Sequence, residues 1–266
     1  MVEHFSTQLI RIRDLSKTTK ELRFLRTDGR AVSYIPGQFF RFTFRDNGGA
    51  FERSYSLGNF LDASEHEMDI VISAVPGGRA SDYLFQGELG LQALVAGPYG
   101  RLVLPERMSK RLFLVATSTG IAPFLTMLAI LKAVNAEVVL LFGVRNRQEI
   151  LYEKELMTFA NEWPNFSLYV FYSQHQEELK PFEKNGYLTT FLGSFEPDPK
   201  QDRFLICGNP QMVDDCFEKL VGFGFSGREV VREKYLFASQ SKGSRKAKLS
   251  ADQKKIIADK LLKHKS

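Results

Sequence analysis

The chain contains 266 residues, of which 44% are hydrophobic and 25% are charged. This length fits two domains of roughly 100 to 150 residues each, and the composition excludes a collagen-like or wholly disordered protein. The two cysteines, Cys207 and Cys216, are too few for a disulfide framework, a four-thiolate zinc site or an iron–sulfur cluster. The four histidines are scattered without ligand spacing, so we predict no protein-bound metal.

The N-terminal residues 1–7 lack the basic-then-apolar pattern of a secretory signal. No window of the sequence approaches 18 uninterrupted apolar residues, the length that a membrane-spanning helix needs. From these two observations we expect a soluble, cytoplasmic protein with no integral membrane association.

The net charge of +5 is distributed unevenly along the chain. Residues 238–266 hold nine Lys or Arg against two Asp, and residues 1–45 hold nine Lys or Arg against four Asp or Glu. We predict that residues 238–266 form a basic linker and a short helix, which Ser250 and Gln253 would cap. Nucleic-acid binding by this tail is disfavoured, because it contains no aromatic side chain to stack on bases.

The first hundred residues show the alternating pattern of half-buried antiparallel strands. Phe40, Phe42 and Phe44 point to one side of a strand, and residues 68–74 repeat the alternation. Turn signals that divide this region into short strands are Asp28-Gly29, Ile35-Pro36-Gly37, Asp46-Asn47-Gly48-Gly49 and Pro76-Gly77-Gly78. We therefore predict an N-terminal antiparallel β-barrel domain over residues 1–106.

The pattern changes after residue 106 to apolar runs that alternate with helical stretches. Residues 112–116 and 138–142 are uninterrupted apolar runs, which is typical of parallel strands covered by helices on both faces. A helix is predicted over residues 149–161 and another over 211–221. The sequence thus predicts a doubly wound parallel-sheet α/β domain over residues 107–237, followed by the tail.

The junction between the first of these strands and the helix after it is suited to a dinucleotide pyrophosphate. Small residues there let the backbone approach phosphate, the free amides of a helix start offer donors, and two hydroxyls add more. Pro in the first helical turn loses no hydrogen bond. The residues that this interpretation selects are Thr117, Thr119, Gly120, Ala122 and Pro123.

Five short motifs occur along the chain in a fixed order. They are Arg53-Ser54-Tyr55-Ser56, Gly77-Gly78-Arg79-Ala80-Ser81, Gly97-Pro98-Tyr99-Gly100, Thr119-Gly120-Ile121-Ala122-Pro123 and Cys207-Gly208-Asn209-Pro210-Gln211-Met212. In this order the chain resembles the ferredoxin–NADP⁺ reductase family of flavoproteins, over roughly residues 5–237. The resemblance implies an FAD-binding β-barrel followed by a nucleotide-binding α/β domain.

For FAD, the resemblance implies that Arg53 holds the pyrophosphate, that Tyr55 stacks on the isoalloxazine and that Ser56 bonds the nitrogen that accepts hydride. A planar cation and an aromatic ring suit the first two tasks. Ser54 belongs to the same motif. The second motif is similar to a further flavin phosphate contact made by Gly77, Gly78, Arg79, Ala80 and Ser81.

For nicotinamide, the resemblance implies that Cys207 lies beside the reacting carbon and that Tyr235 shields the flavin face. Glu233, in the same segment as Tyr235, is a further candidate catalytic residue. The turn around Cys207 adds Gly208, Pro210 and Met212 to the predicted binding residues. Many members of the family end at or just after the aromatic residue, whereas this chain continues for 31 residues.

The choice between NADH and NADPH has signals in both directions. NADPH users of the family commonly place Ser-Arg after the third strand of the nucleotide domain, where this chain has Ser173-Gln174-His175, and the missing arginine favours NADH. NADPH is still possible, because a phosphate dianion needs a cation and Arg145 is predicted to bind the 2′-phosphate. Further candidates for this contact are Arg147, Lys180 and Lys184.

The implied function is that of an FAD-dependent oxidoreductase that transfers hydride between NAD(P)H and FAD. Electrons would pass to or from a separate carrier, for which ferredoxin or flavodoxin is the favoured candidate. The alternatives are a reductase component of an oxygenase or cytochrome system, and a flavin-binding electron-transfer subunit without reductase activity of its own. An acidic carrier would be attracted by Arg11, Arg13, Lys17 and Arg23 if these share a face with the flavin edge. The oligomeric state stays open.

Overall fold

The computed structural model describes residues 2–60 and 62–235. The linker and short helix predicted over residues 238–266 lie outside this part of the chain. The described residues form two sheets of six strands each, one antiparallel and one parallel.

The N-terminal sheet is built from short antiparallel strands. Their bounds are β1 Glu3–Ser16, β2 Thr19–Arg26, β3 Phe39–Asp46, β4 Gly49–Ser56, β5 Glu67–Ser73 and β6 Gln92–Tyr99. The strand order is β4-β3-β6-β1-β2-β5, and a bridge from Leu57, just after β4, to Ile70 of β5 brings the two edges together. The sheet therefore curls into the predicted barrel.

Phenylalanines fill the interior of this barrel. Phe40, Phe42 and Phe44 are buried, as the alternation in β3 predicts, and they pack with Phe24 of β2. The β3–β4 hairpin turns through Asn47 and Gly48. A short helix, α1 (Arg79–Phe85), begins directly after the Gly77-Gly78 turn.

Strand β5 differs from its prediction as a half-buried strand. Met68 and Ile70 are buried inside the barrel, but Asp69 and Val71 on the opposite face are buried as well. The reason is tertiary: Val71 packs into the hydrophobic core of the second domain. Alternation within one strand cannot reveal a face that another domain covers.

The C-terminal sheet is parallel throughout. Its strands are β7 Arg111–Thr117, β8 Glu137–Val144, β9 Phe166–Tyr172, β10 Glu183–Asn185, β11 Asp202–Gly208 and β12 Val230–Lys234, in the order β10-β9-β8-β7-β11-β12. The helices are α2 Ala122–Ala133, α3 Glu153–Glu162 and α4 Pro210–Gly222. Helices α2 and α3 cover one face of the sheet and α4 covers the other, which confirms the doubly wound prediction.

Two local predictions in this domain need correction. Helix α3 begins at Glu153 instead of 149, because residues Arg147–Glu149 form a 3₁₀ turn that leads into it. Strand β10 was not predicted, because it is only three residues long; it pairs with β9. No helix in the described part of the chain is long and apolar enough to cross a membrane.

The strand order reverses between β7 and β11, which are neighbours. In open α/β sheets, ligands bind in the crevice at the carboxyl ends of the two strands where the order reverses. In this chain those ends are Thr117 and Gly208.

One hydrophobic cluster extends across the boundary between the two domains. Phe60 and Val71 from the barrel domain belong to the same buried cluster as Ala122 and Leu125 of α2. Beside them, the backbone N–H of Gly37 donates to the hydroxyl of Thr126 at 3.1 Å. Because the core is continuous, the relative placement of the barrel and the parallel sheet is fixed by packing.

Gly37 tests this packing, with Gly29 as its matched control. Both have positive φ, at +99° and +73°, but a Cβ on Gly37 would lie 2.0 Å from the carbonyl oxygen of Leu102 and 2.3 Å from Cε of Met127, whereas Gly29 has open space. Gly29→Ala should cost about 1 kcal/mol for the backbone conformation alone. Gly37→Ala should cost about 2–4 kcal/mol more, because overpacking adds to that strain.

Thermal unfolding measures the difference. A melting temperature at least roughly 5 °C lower for Gly37→Ala than for Gly29→Ala is expected for a protein of this size. Equal melting temperatures would show that Leu102 of the barrel domain and Met127 of α2 are not tightly packed around Gly37.

Candidate functional site

Four of the predicted site residues meet where the barrel contacts the parallel sheet. Ser56 ends β4, Cys207 lies in β11, and Glu233 lies beside Cys207 in β12. The Ser56 hydroxyl donates to Oε1 of Glu233 at 3.0 Å, across the domain boundary. Tyr235 follows β12, and its N–H donates to the carbonyl of Gly208 at 2.9 Å.

Burial controls the electrostatics of this cluster. It raises the pKa of the Glu233 carboxyl, against the hydrogen bond from Ser56, which lowers it. Burial also raises the pKa of the Cys207 thiol, and the nearby Glu233 carboxylate adds to the effect. Cys207 is therefore a neutral thiol with no nucleophilic character at physiological pH. The Tyr235 hydroxyl is buried and makes no hydrogen bond of normal geometry within the described residues, although it lies beside Cys207 and Ser56.

Tyr55 and Arg53 project from β4 near this cluster. The Tyr55 ring is half-buried and meets Phe42 edge-on at 5.8 Å between ring centroids, and burial raises its pKa. Arg53 donates to the carbonyl of Glu52 at 2.6 Å and forms no ion pair with any described residue. Ser54 is exposed beside them. The guanidinium of Arg53 is therefore available to an anion.

The second predicted phosphate contact is organised differently from its prediction. Arg79 forms a two-pronged ion pair with Asp46 and donates to the carbonyl of Gly49 at 2.8 Å. Ser81 donates to the carbonyl of Gly78 at 2.8 Å, and Gly77 adopts a φ of +69°. These side chains thus stabilise the two turns between which they lie, and a role for Arg79, Ala80 and Ser81 toward flavin stays a prediction.

The loops at the reversal point form a cradle of backbone. A Cβ on Gly120 would lie 2.4 Å from the carbonyl oxygen of Cys207, and one on Gly208 would lie 2.3 Å from the hydroxyl of Thr117. Only glycine therefore fits at either position. Pro123 and Pro210 lie in the first turns of α2 and α4, so both helices begin at this crevice.

Asn209 is a site residue that the sequence prediction missed. Its N–H donates to Thr117 Oγ1 at 3.0 Å, which joins the two loops, and its side-chain oxygen accepts from the N–H of Gln211 and of Met212 at the start of α4. Asn before Pro at a helix start is a capping signal that could have identified it. The Thr117 hydroxyl, which was predicted to bind a ligand, therefore holds the two loops together in this structure. Thr119 and Ala122 lie in the same short connection.

The cations predicted near the adenosine end are mostly committed to carboxylates. Arg147 donates to Oε2 of Glu183 at 2.6 Å, and Lys180 pairs with Glu153 at 2.8 Å. Arg145 is exposed over 69% of its side chain and has only a 3.8 Å contact with Glu149. Among the candidate cations, Arg145 and the exposed Lys184 are therefore the ones available to a ligand.

The basic N-terminal stretch was expected to attract an acidic carrier, and this expectation is wrong for three of its four residues. Arg11 pairs with Glu21 and Asp62, Arg13 pairs with Glu155 of α3, and Arg23 pairs with Asp69 and Asp62. Their charges are neutralised within the protein, and Arg23 is buried. Lys17 is exposed.

These features fit the two groups that the sequence resemblance implies. The site offers donors and space for two dinucleotides, FAD and a nicotinamide dinucleotide. The donors are the guanidinium of Arg53, which has no ion pair among the described residues, and the buried Tyr235 hydroxyl. The space lies at the glycine turns of the reversal point, where a Cβ would not fit. The residues present are thus compatible with FAD on the barrel and a nicotinamide dinucleotide on the parallel sheet.

Comparisons with protein families agree with this assignment. Residues 6–104 match the family model of the oxidoreductase FAD-binding domain, and residues 114–218 match that of the oxidoreductase NAD-binding domain. Their matched ranges correspond to the barrel and to most of the parallel sheet.

Individual curated relatives are reductases. The chain is 34% identical over 160 residues to ferredoxin–NADP reductase B of Sorangium cellulosum, covering 59% of this chain and 65% of the relative. It is 29% identical over 204 residues to the reductase component of the naphthalene 1,2-dioxygenase/salicylate 5-hydroxylase systems of a Ralstonia species, covering 75% and 60%. The chain thus spans about 60 to 65% of the length of these two relatives.

Solved structures share the fold. A cytochrome P450 reductase from Amycolatopsis superposes with a TM-score of 0.78 at 24% identity, covering 88% of this chain and 70% of the other. A ferredoxin NADP⁺ reductase from Neisseria gonorrhoeae with bound FAD and NADP superposes with a TM-score of 0.75 at 21% identity, covering 87% and 98%.

The raised pKa of Glu233 predicts a specific pH dependence of stability. Protonated Glu233 is favoured in the folded state, so its stabilising contribution is complete below the unfolded pKa and is lost as the pH rises through the folded pKa. Glu233→Gln keeps the acceptor for Ser56 but cannot ionise. The melting temperature of wild type minus that of Glu233→Gln should therefore fall as the pH rises from 4 toward neutrality.

Using the difference between the two proteins cancels the titration of all other groups. The control is the same comparison for the exposed residue Glu88. The melting temperature of wild type minus that of Glu88→Gln should not change with pH. A flat difference for Glu233→Gln would contradict a buried carboxyl at this site.

Proposed function

The chain belongs to the ferredoxin–NADP⁺ reductase family of flavoproteins, and from this premise we propose that it is an oxidoreductase that moves hydride between NAD(P)H and FAD and exchanges electrons with a separate carrier. The observation that carries the proposal is the contact between Ser56 of the barrel and Glu233 of the parallel sheet, with Cys207 beside it. This contact joins the predicted flavin motif to the predicted nicotinamide motif at the reversal point of the strands.

Bound FAD would supply the ring that exchanges hydride, so no side chain has to act as acid or base in that step. The protein's task is to hold two rings in contact and to exclude water. Tyr55 offers an aromatic face on the barrel side, and Tyr235 covers the site from the sheet side. Cys207 offers a small, neutral surface, because burial keeps its thiol protonated.

The hydrogen bond between Ser56 and Glu233 can reverse its direction. In the described structure Ser56 donates to Glu233. When the Ser56 hydroxyl donates to a bound ligand, a protonated Glu233 can donate to Ser56 Oγ in turn. The burial that raises the pKa of Glu233 favours this protonated form.

The electron carrier is proposed to be ferredoxin or flavodoxin, since a curated relative is named as a ferredoxin–NADP reductase. Two cysteines within these 266 residues cannot hold an iron–sulfur cluster, so a carrier centre must lie outside them. A reductase component of an oxygenase or cytochrome system is the second candidate. The names of the dioxygenase and cytochrome P450 relatives favour it.

The proposed function is tested by mixing the purified protein anaerobically with NADH and with NADPH while following flavin absorbance. A yellow protein that one nucleotide bleaches is the expected result. Ser56→Ala should slow bleaching at saturating nucleotide by about 10- to 100-fold, because the ring loses a hydrogen-bond donor at the atom where negative charge develops as it accepts hydride.

Ser194→Ala is the matched control for that variant, since the Ser194 hydroxyl donates to Phe191 within its own 3₁₀ segment and should leave the rate unchanged. A colourless protein that cannot be reconstituted with FAD would contradict the proposal. A yellow protein that neither nucleotide bleaches would support the alternative of a dependent electron-transfer subunit.

We further propose that NADH is the preferred nucleotide. The position after β9 offers Gln174 and the exposed His175 in place of arginine, and Arg147 is committed to Glu183. Asn146 donates to Gln174 at 3.1 Å, so neutral amides join the loops after β8 and β9. A neutral surface suits a ribose hydroxyl better than a phosphate dianion.

Arg145→Gln separates the two nucleotides. Because Arg145 is an exposed arginine directly after β8, its loss should lower kcat/KM for NADPH about 10-fold and kcat/KM for NADH much less. Lys200→Gln removes an exposed charge from another loop and should change neither value. A wild-type enzyme that uses NADPH at least as well as NADH would overturn the proposed preference.

A further inference from the structure

The outer face of strands β1, β2 and β5 carries a row of paired charges. Arg11 lies opposite Arg23 across the β1–β2 ladder, and Arg23 lies opposite Asp69 across the β2–β5 ladder. Glu21 lies one step along the same face of β2. Asp62 accepts from both arginines, with distances of 2.6 Å to Arg11 Nη1 and 2.6 Å to Arg23 Nη2.

Three charges of this row are buried, whereas Arg11 and Asp62 at its margin are partly exposed. Glu21, Arg23 and Asp69 are only 3%, 5% and 1% exposed. Arg23 satisfies Asp69 with two hydrogen bonds of 2.6 and 2.7 Å, and burial still raises the pKa of Asp69. Burying a charge destabilises the fold unless the charge is paired. Removing any one partner of the row would therefore leave a neighbouring charge buried without compensation.

The last partner of the row comes from the other domain. The hydroxyl of Tyr152 donates to Oε2 of Glu21 at 2.6 Å, and Arg11 donates to Oε1 of the same carboxylate at 3.1 Å. Arg13 of β1 lies over the Tyr152 ring at 5.6 Å and pairs with Glu155 in the first turn of α3. The start of α3 is thus attached to the barrel through its polar groups.

Tyr152 adopts a backbone conformation that bulky residues avoid. Its φ of 57° and ψ of 30° are left-handed, at the residue that precedes α3. Such a conformation persists only where the surroundings hold it. The Tyr152 ring meets Phe60 of the barrel domain edge-on at 6.1 Å and is 3% exposed, so contacts from the barrel hold it.

We infer that Glu21 and Tyr152 are positioning residues that align the parallel sheet with the barrel for the reaction at Ser56 and Glu233. The two polar contacts share no residue, and together they oppose rotation of one domain on the other about the apolar core at Val71. The inference rests on the proposed function for its kinetic consequence. Its structural consequence is independent of that function.

Tyr152→Phe removes the hydroxyl and keeps the ring. Single-turnover flavin reduction at saturating nucleotide is expected to slow about 10-fold, because a misaligned domain lowers the fraction of complexes in reacting geometry. The dissociation constant of the nucleotide and the FAD content should stay at wild-type values, since Tyr152 touches neither predicted site. This separation of rate from binding is not expected of a residue with a merely structural role.

Tyr172→Phe is a closely matched control. Tyr172 is also fully buried and donates to a buried glutamate, Glu183, at 2.7 Å, but both residues lie within the nucleotide domain. This variant should lower the melting temperature by a similar amount and leave the rate at saturating nucleotide unchanged. Equal slowing by both variants would show that Tyr152 acts only through stability and would overturn the inference.

The pair is tested by a double-mutant cycle with Glu21→Gln. If both residues act through their shared contact, Tyr152→Phe should slow flavin reduction less in the Glu21→Gln background than in wild type. Effects that multiply independently would overturn the inference.

Hydrogen exchange provides a readout that does not depend on activity. In Tyr152→Phe, exchange should accelerate in α3 and also in β12, which carries Glu233 at the other polar contact. Acceleration confined to α3 would contradict alignment of the domains. If neither nucleotide reduces the wild-type flavin, the proposed function fails, and the exchange result alone still decides this inference.

Discussion

The docking of the barrel on the parallel sheet is the constraint on which the site depends. Neither domain alone brings Ser56 to Glu233, because the first belongs to β4 and the second to β12. The apolar contact of Phe60 and Val71 with α2 supplies the main packing, since burial of apolar surface is the dominant favourable term in such contacts. The polar contacts at its margins then restrict rotation, because hydrogen bonds are directional whereas apolar packing is not.

This arrangement changes the meaning of the basic N-terminal strands. Arg11, Arg13 and Arg23 look like a binding surface in the sequence, yet each forms an ion pair: Arg11 and Arg23 belong to the charge row, and Arg13 pairs with Glu155 of α3. Their positive charge is cancelled locally, so it contributes little to the field that a protein partner would feel. A surface that recognises an electron carrier must therefore use other residues.

Much of the fold could be predicted from local patterns. The phenylalanine alternation of β3 and the apolar runs of β7 and β8 identified a barrel and a covered parallel sheet, because these periodicities follow from which faces are buried. The prediction failed where burial comes from another domain, as at Val71, or where a strand has only three residues, as in β10. Within the site, the motifs predicted residues next to glycine turns, but they did not indicate that Asn209 joins the two loops or that Arg79 pairs with Asp46. Charge pairing across turns is a tertiary property that no motif displays.

In the proposed function, one fixed contact between the domains brings nicotinamide and flavin together for direct hydride transfer. The most direct test is flavin reduction by NADH, or by NADPH if that nucleotide is preferred, with deuterium placed separately at each of the two hydrogens on the C4 carbon of the nicotinamide ring. A single aligned geometry predicts a primary isotope effect for one of the two positions and none for the other. Equal effects at both positions, or none at either, would contradict direct transfer in a fixed arrangement.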